Sequence, residues 1–159
     1  MESTENLNDS ISKLQAVFRG SRSRAIHGRR ARSRESIVCP YYASSEAVAK
    51  CMIEIGTITS NDLVVDLGSG AGHLLIPICQ LTRATCVGYE IDAVLCATAS
   101  RKSSWLRDCA SIDIVQDDII NANLTTASVV CMFLVPSCCK VLSKKVRDEC
   151  RKGTRIICK

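Results

Sequence analysis

Few folds accept the stretch from Leu63 to His73, which reads Leu-Val-Val-Asp-Leu-Gly-Ser-Gly-Ala-Gly-His. Apolar and β-favouring residues run into Asp66, and glycines follow at Gly68, Gly70 and Gly72. The next segment, Leu74-Leu-Ile-Pro-Ile-Cys-Gln-Leu81, has the apolar pattern of a helix. This is strand, tight glycine turn, helix, an order that lets backbone press against a nucleotide-like ligand. Glycine accepts positive φ in such a turn and has no Cβ to hold a ligand away. Thr85-Cys-Val-Gly-Tyr-Glu90 then reads as a second strand ending in a carboxylate, placed to accept hydrogen bonds from both hydroxyls of a ribose.

The rest of the chain continues the alternation. A helix is expected over 45–56, with Ser44 or Ser45 as N-cap and Glu46 in its first turn. Its inner face would carry Ala47, Val48, Cys51, Met52 and Ile55, and Gly56 would end it. Strands are expected at 62–67, 85–89, 112–115, 128–135 and 154–158. The helices between them are expected at about 73–82, 93–107 and 138–151. Pro77 should interrupt the first of these and remove one backbone hydrogen bond. The second should carry Val94, Leu95, Ala97, Thr98 and Trp105, and Gly153 should close the third. Continuous apolar strands alternating with helices imply an α/β doubly wound parallel sheet. In such sheets ligands bind beyond the carboxyl ends of the strands, at the switch point. Asp66, the glycine turn, Glu90, Asp118 and Val135-Pro136-Ser137 all fall at those ends in this reading.

Charge divides the chain. Residues 1–34 hold eight Lys/Arg against three acids, and residues 35–159 hold thirteen of each sign, so the N-terminal segment carries the whole net charge of +5. The body is therefore no general polyanion binder, and no nucleic-acid partner is expected. The longest apolar run, Val129 to Val135, has the length of a buried strand and not of a bilayer span. The first ten residues are polar and include Glu2, Glu5 and Asp9, so no secretory signal is read, and a cytoplasmic location is expected, with the mitochondrion as the alternative. Eleven cysteines invite a disulfide or metal reading. Their number is odd, most lie within apolar patterns, and no C-x-x-C pair exists. They are read as free thiols acting as small hydrophobes, with the vicinal pair Cys138-Cys139 as a redox alternative. No metal site is expected, because His27 and His73 have no cysteines at zinc-finger spacing.

Three parts are expected: a disordered tail at 1–9, a basic helix at 10–34 and a folded domain at 35–159. Within the second part, Leu14, Val17 and Phe18 share a helical face, and Arg19, Arg22 and Arg24 ring the others. A basic amphipathic helix suits the acidic groove of a calmodulin-like protein. The spacing resembles the IQ motif, with Leu14, Gln15, Arg19, Gly20 and Arg24 in its places, Phe18 on the apolar face, and His27 where a final hydrophobic residue belongs. A solvated basic tail and an organelle presequence are the competing readings; the early acids weigh against the presequence.

The ligand can be narrowed by exclusion. A dinucleotide fingerprint, G-x-G-x-x-G, fails from Gly68 at His73 and from Gly70 at Leu75. A P-loop would end in Gly-Lys-Ser/Thr, which is absent. Asp-x-Gly-x-Gly-x-Gly from Asp66 instead resembles motif I of the class I S-adenosylmethionine-dependent methyltransferases. That resemblance implies a Rossmann-like fold whose glycine turn passes the methionine and ribose of the cofactor. It further implies that Glu90 holds the ribose and that Asp117 or Asp118 meets the adenine amino group. Pro40-Tyr41 before the first helix, Val65-Asp66-Leu-Gly-Ser69-Gly, Gly88-Tyr89-Glu90, an acid after the third strand, and Phe133-Leu-Val-Pro-Ser137 occur together. The set is similar to the protein-lysine methyltransferases of the ATP synthase c subunit and the adenine nucleotide translocase, over roughly residues 38–158. Tyr41 and Ser69 then join Asp66, the three glycines, Glu90, Asp117 and Asp118 as cofactor contacts, and Val135, Pro136 and Ser137 become substrate-side candidates. The chain differs at Ala71-Gly72-His73, where that family usually has Asp-Gly-Arg. It also stops at its fifth strand, where the full fold has two more forming an antiparallel hairpin, so the fifth strand is expected to be an edge.

Methyl transfer to lysine asks mainly for positioning of a neutral amine, and no catalytic base is assigned. Asn/Asp-Pro-Pro-Tyr, which serves planar nitrogens, is absent after the fourth strand. The sequence therefore points to an S-adenosylmethionine-dependent protein-lysine N-methyltransferase with a calmodulin-responsive N-terminal helix. The alternatives are a non-catalytic methyltransferase-fold adaptor that binds calmodulin, and a methyltransferase of small molecules. Each site residue also has a plainer reading: Asp66 capping the turn amides, Asp117 or Asp118 serving a turn, and His73 opening a helix.

Overall fold

The strands and helices expected between residues 45 and 158 all form, and the differences lie in where each begins and ends and which face it buries. The structure, a computed structural model, describes residues 45–106 and 111–158. The tail at 1–9, the basic stretch at 10–34 with Leu14, Gln15, Phe18, Arg19, Gly20 and Arg24, and Tyr41 lie outside the described residues. The elements are α1 (Glu46–Gly56), β1 (Leu63–Leu67), α2 (Leu75–Thr82), β2 (Thr85–Glu90), α3 (Ala93–Ser103) and β3 (Ile112–Gln116). A 3-10 turn (Ile119–Asn121), β4 (Val129–Met132), α4 (Pro136–Glu149) and β5 (Arg155–Cys158) follow. The strands form one parallel sheet in the order β3-β2-β1-β4-β5. The order reverses between β1 and β4, so the switch point falls beyond the carboxyl end of β1.

Register follows from burial on both faces. Val64, Cys86, Val129 and Cys131 point into a core shared with Val48, Met52, Leu75 and Ile78 of α1 and α2. Val65, Leu67, Val130 and Met132 point the other way, onto Leu124, Leu142 and Val146. Sealing one such Leu, Ile or Met contributes about 1.5–3 kcal/mol, and a one-residue slip would exchange the two sets. Eight cysteines among the described residues are outside any disulfide, five of them buried in this packing. Cys138 is disulfide-bonded, a departure from the all-thiol expectation.

Local corrections have physical causes. Helix α1 buries Val48, Ala49, Cys51 and Met52, and the expected Ala47 faces outward. Gly56 is the last residue of that helix and not its left-handed cap, a place taken by Thr57 at φ 47°. A Cβ at Gly56 would lie 2.6 Å from Cδ1 of Ile157, so glycine there permits close packing on β5. Helix α2 starts at Leu75, which puts Pro77 in the first turn, where its missing N–H and fixed φ cost little. Helix α3 ends at Ser103, short of the expected 107, buries Cys96 and Ala99, and leaves Val94 exposed, with Trp105 exposed in the turn beyond it. Strand β4 ends at Met132, short of Val135, because Val135 is the N-cap of α4 and Pro136 its first residue.

The amino end of the sheet is closed by a polar network. Asp62, just before β1, accepts from the Thr59 amide at 2.8 Å and the Ser128 hydroxyl at 2.7 Å, and pairs with Arg155. Arg155 also donates to the carbonyls of Gly56 and Thr57, capping α1. Loop, helix end, β4 and β5 are fastened at one buried carboxylate.

Candidate functional site

At the opposite end of β1, the carboxyl end, the glycine turn folds back over β2. Gly68 and Ser69 donate their amides to the Tyr89 carbonyl at 2.9 and 3.0 Å. Gly70 donates to Oε2 of Glu90 at 2.8 Å, and Gly72 closes the turn onto the Ser69 carbonyl. Gly68 and Gly72 have φ of 84° and 77°, where an L side chain is strained. A Cβ at Gly68 would lie 2.9 Å from Leu134, and one at Gly72 would lie 2.8 Å from Ile76. The turn can therefore approach a ligand on its open side while resting tightly on the sheet. Gly88 matters for a related reason: a Cβ there would lie 2.6 Å from Oγ of Ser69, so glycine on β2 makes room for the turn's one side-chain hydroxyl.

Two carboxylates sit under this turn. Asp66 is 2% exposed and is paired in register with Gly88 on β2 and Cys131 on β4. Burial, with the negative charge of Glu90 second, pushes its carboxyl up to about 7. The amides of Gly68, Ser69 and Gly70 are taken by Tyr89 and Glu90 and that of Gly72 by Ser69, so Asp66 is not the cap that the plainer reading would make it. Glu90, 8% exposed, accepts from Gly70 on Oε2 and from the Asp92 amide on Oε1 at 2.9 Å. Each carboxylate oxygen has two acceptor directions, so Glu90 keeps acceptor capacity while it holds the turn. Oγ of Ser69 is buried without a hydrogen-bond partner. A desolvated pair of acids with an unpartnered hydroxyl beside it matches a ligand that carries positive charge and hydroxyl donors.

The other expected residues surround this centre at differing depth. The Asp117 amide donates to the Glu90 carbonyl at 3.0 Å, which sets Asp117 next to Glu90. Oδ1 of Asp117 accepts from the Asp118 amide and from Asn121, and Oδ1 of Asp118 accepts from the Ile120 amide. Both therefore shape their own turn, whichever of them also meets a ligand. Val135, Pro136 and Ser137 open α4 at the same edge, with Pro136 and Ser137 exposed. His73 stands at the end of the turn with its Nε2 2.9 Å from Nζ of Lys102. Burial, and then the Lys102 charge, hold the imidazole below its ordinary range, so it is neutral at physiological pH.

Sequence reasoning missed two participants. Asp92 caps α3 by accepting from the amides of Val94 and Leu95, and its own amide fixes Glu90. An acid directly before a helix is a readable cap, so that signal was present. Lys102 has no such signature, because its partners are 29 and 31 residues away in sequence.

The chain matches the ANTKMT methyltransferase domain over residues 66–159. It is 31% identical over 121 residues to a protein-lysine N-methyltransferase of Saccharolobus islandicus, covering 74% of each chain. It is 32% identical over 95 residues to the adenine nucleotide translocase lysine N-methyltransferase of Mus musculus, covering 59% of this chain and 41% of that relative. Among solved structures it is similar to an RNA methyltransferase from Salinibacter ruber in complex with S-adenosyl-L-homocysteine, with TM-score 0.67 and 28% identity, covering 72% of this chain and 75% of the other. The parallel sheet, the glycine turn at its switch point and these matches lead to one conclusion: the chain belongs to the ANTKMT methyltransferase domain family.

Proposed function

We propose that the chain is an S-adenosylmethionine-dependent protein-lysine N-methyltransferase that holds its cofactor against the open side of the Gly68–Gly72 turn. The observation that carries the reading is the desolvated pair Asp66 and Glu90 by that turn, with Asp66 pushed up to about 7 by burial and then by the Glu90 charge. A sulfonium amino acid suits such a pair, and the unused acceptor capacity of Glu90 suits a ribose diol. Asp66 and Ser69 would face the amino-acid end, Glu90 the ribose, and Asp117 or Asp118 the base. Lysine as the acceptor is supported by the names of the Saccharolobus islandicus and Mus musculus relatives.

The cofactor supplies a methyl group on a sulfonium, already activated for attack by a neutral amine. What the chain must do is position that amine and keep water away. A lysine's free pKa of about 10.4 has to fall for attack, and a pocket edge of apolar residues and carbonyls favours the neutral form. Val135, Pro136 and Ser137, at the start of α4, are the segment proposed to meet it. The RNA methyltransferase from Salinibacter ruber supports a second reading, in which the acceptor is RNA. The balance of thirteen acids against thirteen Lys/Arg in residues 35–159 disfavours it, since RNA affinity rests largely on phosphate neutralisation.

The test is methyl transfer from labelled S-adenosylmethionine into a cell-protein extract and, separately, into RNA, with mass spectrometry of the products. Label on protein lysine, lost in Glu90→Ala, is the expected result. Label on RNA alone, or no binding of the cofactor, would overturn the lysine reading. Repeated with calmodulin in calcium and in chelator, the same assay reads whether the IQ-like stretch from Leu14 to Arg24 carries control.

A further inference from the structure

The glycine turn is gripped from two sides. From the inside, β2 holds its first half: Tyr89 takes the amides of Gly68 and Ser69, and Glu90 takes that of Gly70. From the outside, a side chain of α3 holds its second half. Lys102 donates to the carbonyl of Ala71 at 3.2 Å and to Nε2 of His73 at 2.9 Å. A lysine in the last turn of a helix ordinarily serves that helix's own terminal carbonyls. Lys102 lies in the last turn of α3, yet its ammonium crosses to a segment about thirty residues earlier. Helix and turn are close enough for this, since a Cβ at Gly72 would stand 3.4 Å from that of Ala99.

The bridge has chemical requirements. The ammonium needs acceptors, so the ring nitrogen facing it must be the unprotonated one, which agrees with a neutral His73. Three glycines in five residues make the turn the part of the site with most conformational freedom to lose. The inner grip belongs to residues that a ligand would also engage. The outer grip belongs to none of them, so it can hold the turn ready before a ligand arrives. Pre-ordering a loop moves its entropy cost out of the binding step.

We propose that Lys102 is a positioning residue for the cofactor, holding the Ala71–His73 limb against α3 so that the turn is formed in the free protein. The inference rests on the cofactor reading given above. It assigns His73 as the acceptor that makes the lysine bridge two-pronged, and it gives Ala71 and His73 a role in shaping the turn.

Two measurements on the full chain test it, with S-adenosyl-L-homocysteine as the probe. Amide exchange of Gly70 to Leu74 in the free protein reads the grip directly, and calorimetric titration reads its effect on binding. Lys102→Met should speed exchange in that segment alone and weaken binding by about 3- to 10-fold, the scale of one charge-assisted hydrogen bond partly spent on ordering. Lys102→Arg, which keeps a donor fork, and His73→Gln, which keeps a neutral acceptor, should retain most of the affinity. Unchanged exchange in Lys102→Met overturns the proposal, as does equal loss in the Met and Arg variants. A wild-type chain that binds none of the probe overturns the cofactor reading and this role with it. A wild-type chain that binds, with Lys102→Met binding as tightly, overturns this role alone.

Discussion

Two buried aspartates, four residues apart at the two ends of β1, have opposite surroundings. Asp62 has an amide, a hydroxyl and a guanidinium, each within bonding distance. Burial alone would push its carboxyl up, but the Thr59 amide, the Ser128 hydroxyl and Arg155 outweigh that and hold it below the usual carboxylate range. Asp66 is buried more deeply, has another acid as its charged neighbour, and is pushed up to about 7 by burial first and the Glu90 charge second. The amino end of the sheet is thus electrostatically complete within the chain. The carboxyl end is not: among the described residues, Asp66 has no cationic partner to set against its burial and the Glu90 charge. An unrelieved acid is costly, and a protein that completes one end of a strand while leaving the other short is keeping that second site for something else.

The comparison makes opposite predictions for the two ends. Asp66 in the folded state keeps a proton that the unfolded chain releases above about pH 4, so free-protein stability should fall as pH rises from there to about 7. Measured by denaturant unfolding against pH, Asp66→Asn should remove that fall, gaining about 2–4 kcal/mol on wild type at the alkaline end. Asp62 works in the other direction. Its depressed carboxyl contributes stability above its ordinary range that is lost as pH drops through the folded value. Arg155→Met should cost about 2–3 kcal/mol by leaving Asp62 unpaired, with titration showing affinity for S-adenosyl-L-homocysteine unchanged. Equal effects of both substitutions on stability and on binding would erase the distinction between the two ends.

The sequence made the Asp66 end far easier to read than the Asp62 end. Three glycines at alternate positions, an acid before them and an acid closing the next strand form a local pattern, because turn geometry and close approach demand those residue types at those places. The network at Asp62 joins residues 59, 62, 128 and 155, which share no local spacing and meet only because β1, β4 and β5 are neighbours. The same limit explains Lys102, whose partners come from packing of α3 against the turn. Helix faces were misread where apolarity was taken for burial. Val94 and Trp105 lie outside, and the small Cys96 and Ala99 lie inside, because α3 sits tightly against the turn and its sheet. Gly56 and Pro77 were read by their usual roles as terminator and breaker. In the structure one is a contact against Ile157 and the other a first-turn residue.

The central claim is that Asp66 and Glu90 form an acid pair held short of a cation, which the cofactor supplies. Calorimetric titration of S-adenosylmethionine at pH 7, in buffers of differing ionisation enthalpy, counts protons exchanged on binding. With Asp66 near half-protonated in the free protein, binding should release about half a proton more from wild type than from Asp66→Asn, which should also bind more weakly. The same proton count in both proteins, with equal affinity, would contradict the claim.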